Sequence, residues 1–166
     1  MKAFVVDVNV AIVANGRSPQ ANDDCLLACI AVLETVCRDG MIVLDDGMRI
    51  LSQYMGQLSM AGQSGLGDFF MKWVWENQAV PSRCERVALA CNGDNPDDFE
   101  AFPADPDLRG FHRKDRMYVA VALTSRNDPE ILNAVDTGWW HHKDALLRNR
   151  VRLRFVCPQH MRRQAT

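Results

Sequence analysis

Short apolar runs that end on polar residues alternate along this chain with longer stretches in which apolar residues recur every three or four positions. Ala3-Phe4-Val5-Val6 stops at Asp7, and an unbroken apolar run of this length predicts a strand covered on both faces of a parallel sheet. After the turn-forming Asn15-Gly16-Arg17-Ser18-Pro19, residues 22–38 carry Leu26, Leu27, Ile30, Leu33 and Val36 at helical spacing, and Gly40 stands where a helix should stop. Residues 41–44 predict a second strand, closed by Asp45-Asp46-Gly47; Ile50, Leu51, Tyr54, Met55 and Leu58 then return to the helical period. A glycine-rich loop at 59–66 leads into an aromatic-rich helix at 67–77, and a third strand is expected at 86–90.

Residues 92–110 hold prolines, glycines and a run of acids, which makes them the one long irregular connection. A helix at 114–125 and a strand at 130–135 ending at Asp136 follow. The last strand, 151–156, alternates Val151, Leu153 and Phe155 with Arg150, Arg152 and Arg154, a pattern that buries one face and offers arginines on the other. Strands and helices in alternation, with no internal repeat, predict one α/β domain over 1–160 with a largely parallel sheet, and a short basic tail at 161–166.

Composition adds little that discriminates. Of 166 residues, 48% are apolar and 24% charged, the proportions of an ordinary folded domain. No run approaches the roughly 18–20 apolar residues a membrane-spanning helix needs, and no basic start with a cleavage site opens the sequence, so the expected setting is cytoplasmic, with no membrane. The six cysteines are then expected as reduced thiols. Cys25, Cys29 and Cys37 share a helix face and read as core residues rather than a zinc site, and Cys157-Pro158-Gln159-His160 is an isolated half-motif. The net charge of −2 gives no bulk attraction for nucleic acid, but basic residues bunch at 109–116 and again at 148–163.

In open α/β sheets ligands bind beyond the carboxyl ends of the strands, where Asp7, Asp45, Asp46 and Asp136 fall. Carboxylates converging there suit a hard cation such as Mg²⁺ or Mn²⁺, although an aspartate after a strand is also a helix cap or turn former. Asp115 opens a helix inside Arg113-Lys114-Asp115-Arg116, next to side chains suited to phosphate. Trp139, Trp140, His141 and His142 read as an amphipathic surface hinge packing its tryptophans, ahead of a base-stacking platform.

Phe4-Val5-Val6-Asp7-Val8-Asn9-Val10 resembles the opening strand of PIN domains. Asp115-Arg116-Met117-Tyr118-Val119-Ala120-Val121-Ala122-Leu123 resembles the PIN helix that begins on a second ligand aspartate, and Asn133-Ala134-Val135-Asp136 the strand end that delivers a third. The pieces occur in family order and span about residues 1–156. The resemblance implies a three-layer α/β sandwich with a central mostly parallel sheet, and a Mg²⁺- or Mn²⁺-dependent ribonuclease with Asp7, Asp115 and Asp136 as ligands and Asn9 in support. Single-stranded RNA is the implied substrate, with DNA as an alternative. By the same analogy the domain is similar to the toxin of a toxin–antitoxin pair or a defence-linked nuclease, with an antitoxin-like protein and a second copy of the chain as partners.

Two departures qualify it. The helix after the second strand carries Gln53 where the family usually has Glu, and Gly138 stands where a further acid often sits. Asp46 is the candidate to compensate. Arg113, Lys114, Arg116 and His112, with some of Arg148, Arg150, Arg152 and Arg154, are the expected phosphate contacts. The alternative function is a catalytically weakened PIN-like module that binds nucleic acid or a protein. A phosphatase with Asp7 as nucleophile fits less well, because Asn9 stands where a second aspartate is needed.

Overall fold

The computed structural model describes residues 1–164. Its strands β1 (Ala3–Val6), β2 (Met41–Asp45), β3 (Cys84–Val87), β4 (Glu130–Asn133) and β5 (Arg152–Phe155) form one sheet in the order β3-β2-β1-β4-β5, parallel at every pairing. Helices α1 (Val8–Ala14) and α2 (Asp23–Asp39) link β1 to β2, and α3 (Arg49–Gln57) and α4 (Leu66–Asn77) link β2 to β3. The return to β4 runs through α5 (Arg116–Thr124); α6 (Thr137–His141) and α7 (Lys143–Arg148) precede β5, and α8 (Pro158–Gln164) follows it. Steps from β1 outward to β3 and steps from β4 to β5 run in opposite directions, so right-handed crossovers put α1–α4 on one face and α5–α7 on the other. Packing of α1, α2 and α4 on one another, and of α5 against β1, β2 and β4, agrees with this three-layer arrangement.

The central strand is where the apolar pattern was purest: Ala3, Phe4, Val5 and Val6 are all buried. β1 stops at Val6 and does not run on to Val10, because Asp7 accepts a hydrogen bond from the Asn9 amide (3.1 Å) and starts a helix that the sequence pattern left unread. The third strand lies at Cys84–Val87, earlier than expected. Its charged Glu85 is satisfied beside this edge strand by Ser125 Oγ (2.5 Å), the Arg126 amide (3.0 Å) and Asn127 Nδ2 (2.7 Å), so charge did not exclude it from the sheet. The expected tail at 161–166 is helical through Gln164, and Met161 is wholly buried. The 92–110 connection is anchored by buried Phe99 and Leu108.

Cysteine chemistry also departs from expectation. Cys25 and Cys157, 132 residues apart, form a disulfide that ties the first turn of α2 to the chain just after β5. Cys29, Cys37, Cys84 and Cys91 are free thiols. Among the described residues, no helix is long and apolar enough to cross a membrane.

Candidate metal centre

The sheet reverses its winding between β1 and β4, and at such a switch point the two carboxyl ends leave a crevice. Asp7 follows β1, Asp136 follows β4 by three residues, and Asp115 closes the short turn that opens α5 on the opposite face. Each offers a carboxylate oxygen within 4.8 Å of the other two. The capping and ligand readings describe the same side chains: Asp7 caps α1, and Asp136 caps α6 through the Gly138 amide (2.9 Å).

Asn9 holds the two strand ends in register. Its Nδ2 donates to Asn133 Oδ1 (2.7 Å), and its Oδ1 accepts from the Ala134 amide (2.8 Å). Asn133 Nδ2 in turn donates to the Asp136 carbonyl (3.1 Å). The supporting role expected of Asn9 thus has a geometry, and Asn133 completes it.

Trp139 packs inward, as expected of the tryptophans of this segment, and it packs into the site. It is fully buried, and its Nε1 donates to Asp7 Oδ2 at 2.9 Å, so one turn of α6 brings both a cap and an indole to the site. Tyr118 packs beside Trp139; its hydroxyl accepts from the Val8 amide (3.3 Å) and donates to Gln53 Oε1. Gln53 therefore reaches Tyr118, the neighbour of Trp139. Tyr54, one residue further along α3, donates its hydroxyl to the Val6 carbonyl. Burial raises both phenols well above their usual range, so they stay protonated.

Asp46 takes no part. It is exposed, and its buried neighbour Asp45 does the capping, accepting from the Arg49 (2.9 Å) and Ile50 (3.0 Å) amides. The compensating acid expected at Asp46 is absent because Asp45, one residue earlier, turns inward. At Gly138 an added Cβ would sit 3.1 Å from Asp136 Oδ1, a crowding that favours glycine where the resemblance has an acid.

Electrostatically the cluster is unbalanced. Burial pushes the Asp7 carboxyl up to about 7; the Asn9 amide opposes this and the nearby Asp136 adds to it. Burial, then Asp7 and Asp136, push Asp115 up to about 8, and Asp115 and Asp136 share a hydrogen bond that requires a proton. Among the described residues no lysine or arginine pairs with any of the three. The donor set is all oxygen and, once its protons leave, anionic, which fits a hard divalent cation.

The expected phosphate contacts divide. Arg113 and Lys114 are exposed and line a cavity of about 180 Å³ with Arg49 and Gln53. His112 is exposed, its Nδ1 accepting from the Lys114 amide (3.3 Å). Arg116, by contrast, donates to the Arg109 (3.0 Å) and Phe111 (3.2 Å) carbonyls and lies over Phe102, pinning the preceding loop. In the later basic cluster Arg148, Arg152 and Arg154 face acids of the chain. Arg148 binds Asp105 (2.6 Å) and Asp107 (2.9 Å), Arg152 reaches Asp128 (3.4 Å), and Arg154 lies 2.8 Å from Glu130.

No family model, curated protein or solved structure matches the chain.

Proposed function

We propose that the chain is a Mg²⁺- or Mn²⁺-dependent nuclease that hydrolyses phosphodiester bonds in single-stranded RNA. The observation that carries this reading is the convergence of Asp7, Asp115 and Asp136 at the switch point, with no lysine or arginine paired to them among the described residues. Asp7, Asp115 and Asp136 would hold the ion, which when bound lowers the pKa of a water molecule and offsets charge developing on the phosphate. Asn9 and Asn133 fix the spacing of the two strand ends, and Trp139 orients the Asp7 carboxylate. Arg49, Arg113 and Lys114 offer charge for backbone phosphates without reading bases.

A toxin-like or defence-linked role in the cytoplasm belongs to the same proposal. So do an antitoxin-like protein and a second copy of the chain as partners. The exposed apolar residues Phe69 and Trp75 of α4, with Met55 and Met60, are the surface offered for them. Gln53 and Gly138, neither of them an acid, favour the second reading, a weakened module that binds RNA or a protein without cleaving.

Cleavage of labelled single-stranded RNA and DNA by the purified chain with Mg²⁺ or Mn²⁺, beside Asp7→Asn, Asp115→Asn and Gln53→Glu, separates the two. RNA cleavage by the native chain that both Asp variants lose supports the nuclease. A silent native chain with an active Gln53→Glu variant supports the weakened module, and no cleavage with no metal binding by any of them ends the nuclease reading.

A further inference from the structure

Two sequence fragments that carried nothing separately meet in the fold. Cys25 and Cys29 are four residues apart on α2 and both buried, so their side chains share one face. Cys157 arrives from the other end of the chain, its Sγ 3.9 Å from that of Cys29 and bonded to Cys25. All three sulfurs lie within 4.8 Å of one another. His160 follows Cys157 at C-x-x-H spacing, is buried, and lines with Cys25 and Cys157 a surface cavity of about 320 Å³.

We propose that in the reduced chain Cys25, Cys29 and Cys157 form a second metal centre for a zinc-type cation, with the fourth position taken by a water molecule or, after side-chain rotation, by His160 from the same cavity, and that the disulfide is the alternative state of the same sulfurs. Zn²⁺ takes four sulfur or nitrogen ligands tetrahedrally, and a Zn–S bond of about 2.3 Å sets neighbouring sulfurs roughly 3.8 Å apart. The Cys29–Cys157 separation of 3.9 Å already has that value. Cys25 and Cys157, with Cα atoms 5.2 Å apart, need only side-chain rotation to follow once their bond is broken. Three soft sulfur donors drawn from two distant segments suit a zinc-type cation, and the cavity lined by Cys25 and Cys157 gives an ion a way in.

Breaking the disulfide takes two electrons and two protons from an external dithiol, which leaves as its own disulfide. Binding then releases the three thiol protons as the ion takes up the thiolates. The site would fasten α2 to α8 in a reducing compartment, where the disulfide would not persist. It is independent of the aspartate cluster and of the proposed nuclease function.

The test uses the full chain, reduced, stripped of metal by a chelator, and titrated with Co²⁺ as a spectroscopic probe. At one equivalent, a thiolate-to-cobalt charge-transfer band and the intense visible bands of a tetrahedral ion are expected, equally in Asp7→Asn, and displaced by Zn²⁺. Cys29→Ser, which leaves the disulfide pair intact, should weaken Co²⁺ binding by about tenfold or more, and a shift of the visible bands in His160→Ala would place His160 in the fourth position. The native chain also gives a readout that needs no variant: Zn²⁺ should slow alkylation of Cys25, Cys29 and Cys157 by about tenfold or more, and leave Cys37, Cys84 and Cys91 unchanged. A reduced native chain without a charge-transfer band, or alkylation rates indifferent to Zn²⁺, would overturn the proposal. Visible bands unmoved by His160→Ala would remove His160 from the ligand set.

Discussion

Asp68 and Asp7 are both buried aspartates at the start of a helix, yet their surroundings push their ionisation in opposite directions. Burial pulls both upward. Around Asp68, closed off by the 59–65 loop, the amides of Ser59 (2.8 Å) and Gly65 (3.2 Å), Asn15 Nδ2 (2.9 Å) and the charge of Arg17 outweigh it, and the carboxyl falls below its usual range. Around Asp7 the Asn9 amide and Trp139 indole do not outweigh it, and Asp136 adds repulsion, so the carboxyl rises to about 7. The first environment is complete and needs nothing from outside. The second is built of acids facing acids, which a structural role does not require and a bound cation would resolve.

The comparison breaks most readily on activity. Removing one charge from the cluster, by Asp7→Asn or Asp115→Asn, should cut kcat/KM for RNA cleavage by roughly 10²–10³-fold, the equivalent of about 3–4 kcal/mol. Asp68→Asn should leave kcat/KM per folded molecule unchanged. Equal losses at Asp68 and Asp7 in steady-state kinetics would mean that the two carboxylates do the same job.

Stability should respond the other way round. Asp68→Ala strands the Ser59 and Gly65 amides under a closed loop, and should cost about 2–4 kcal/mol in urea unfolding. Asp115→Asn relieves repulsion and can donate to Asp136, so the metal-free protein at pH 8 should gain about 1–2 kcal/mol in the same experiment. A functional residue that destabilises its own fold is the expected signature of such a site. Stabilisation absent in Asp115→Asn would sink that interpretation.

How much of this the sequence disclosed follows from the range of each interaction. β1 and the Asp7 that ends it were legible because a strand buried on both faces has no polar residue to blur the run. Order along the chain sufficed to suggest Asp115 and Asp136, but not that Asn9 and Asn133, 124 residues apart, clamp the strand ends. That Trp139 packs against Asp7 was not legible, because α6 has only five residues, too few for a helical period to show which face is inward. Arg148, Arg152 and Arg154 looked free because their partners Asp105, Asp107, Asp128 and Glu130 lie in other segments. The Cys25–Cys157 pairing was invisible for the same reason.

Heat and pH sharpen the contrast at smaller amplitude. Asp7 and Asp115 hold their protons more tightly in the folded chain than at the ordinary value of 3.8, so their contribution to stability is complete below that pH. It is lost as pH rises through about 7 and about 8. Asp68, with its depressed carboxyl, contributes in the opposite sense, its stability present above the ordinary value and lost on acidification below it. The Tm of the metal-free protein should therefore fall between pH 5 and pH 8. Mg²⁺ or Mn²⁺ at about 100 times its Kd should restore about 2.7 kcal/mol at pH 8, roughly 5–10 °C in Tm. A metal-free Tm that rises with pH over this window would show that the cluster is not the electrostatic liability described.

The smallest effect separates free cations from paired ones. Arg113 and Lys114 are exposed beside the cluster, whereas Arg152 and Arg154 each face an acid of the chain itself. Neutralising a phosphate contact removes one released counterion, and should lower the slope of log K against log salt by about 0.7 for single-stranded nucleic acid. Arg113→Ala and Lys114→Ala should each do so, measured by fluorescence anisotropy on labelled RNA in Ca²⁺ to suppress cleavage. Arg152→Ala should leave the slope unchanged, because removing it frees Asp128 rather than a phosphate. The reverse pattern would move the RNA path from the α5 end of the crevice to the β5 edge, and with it the direction from which substrate reaches Asp7.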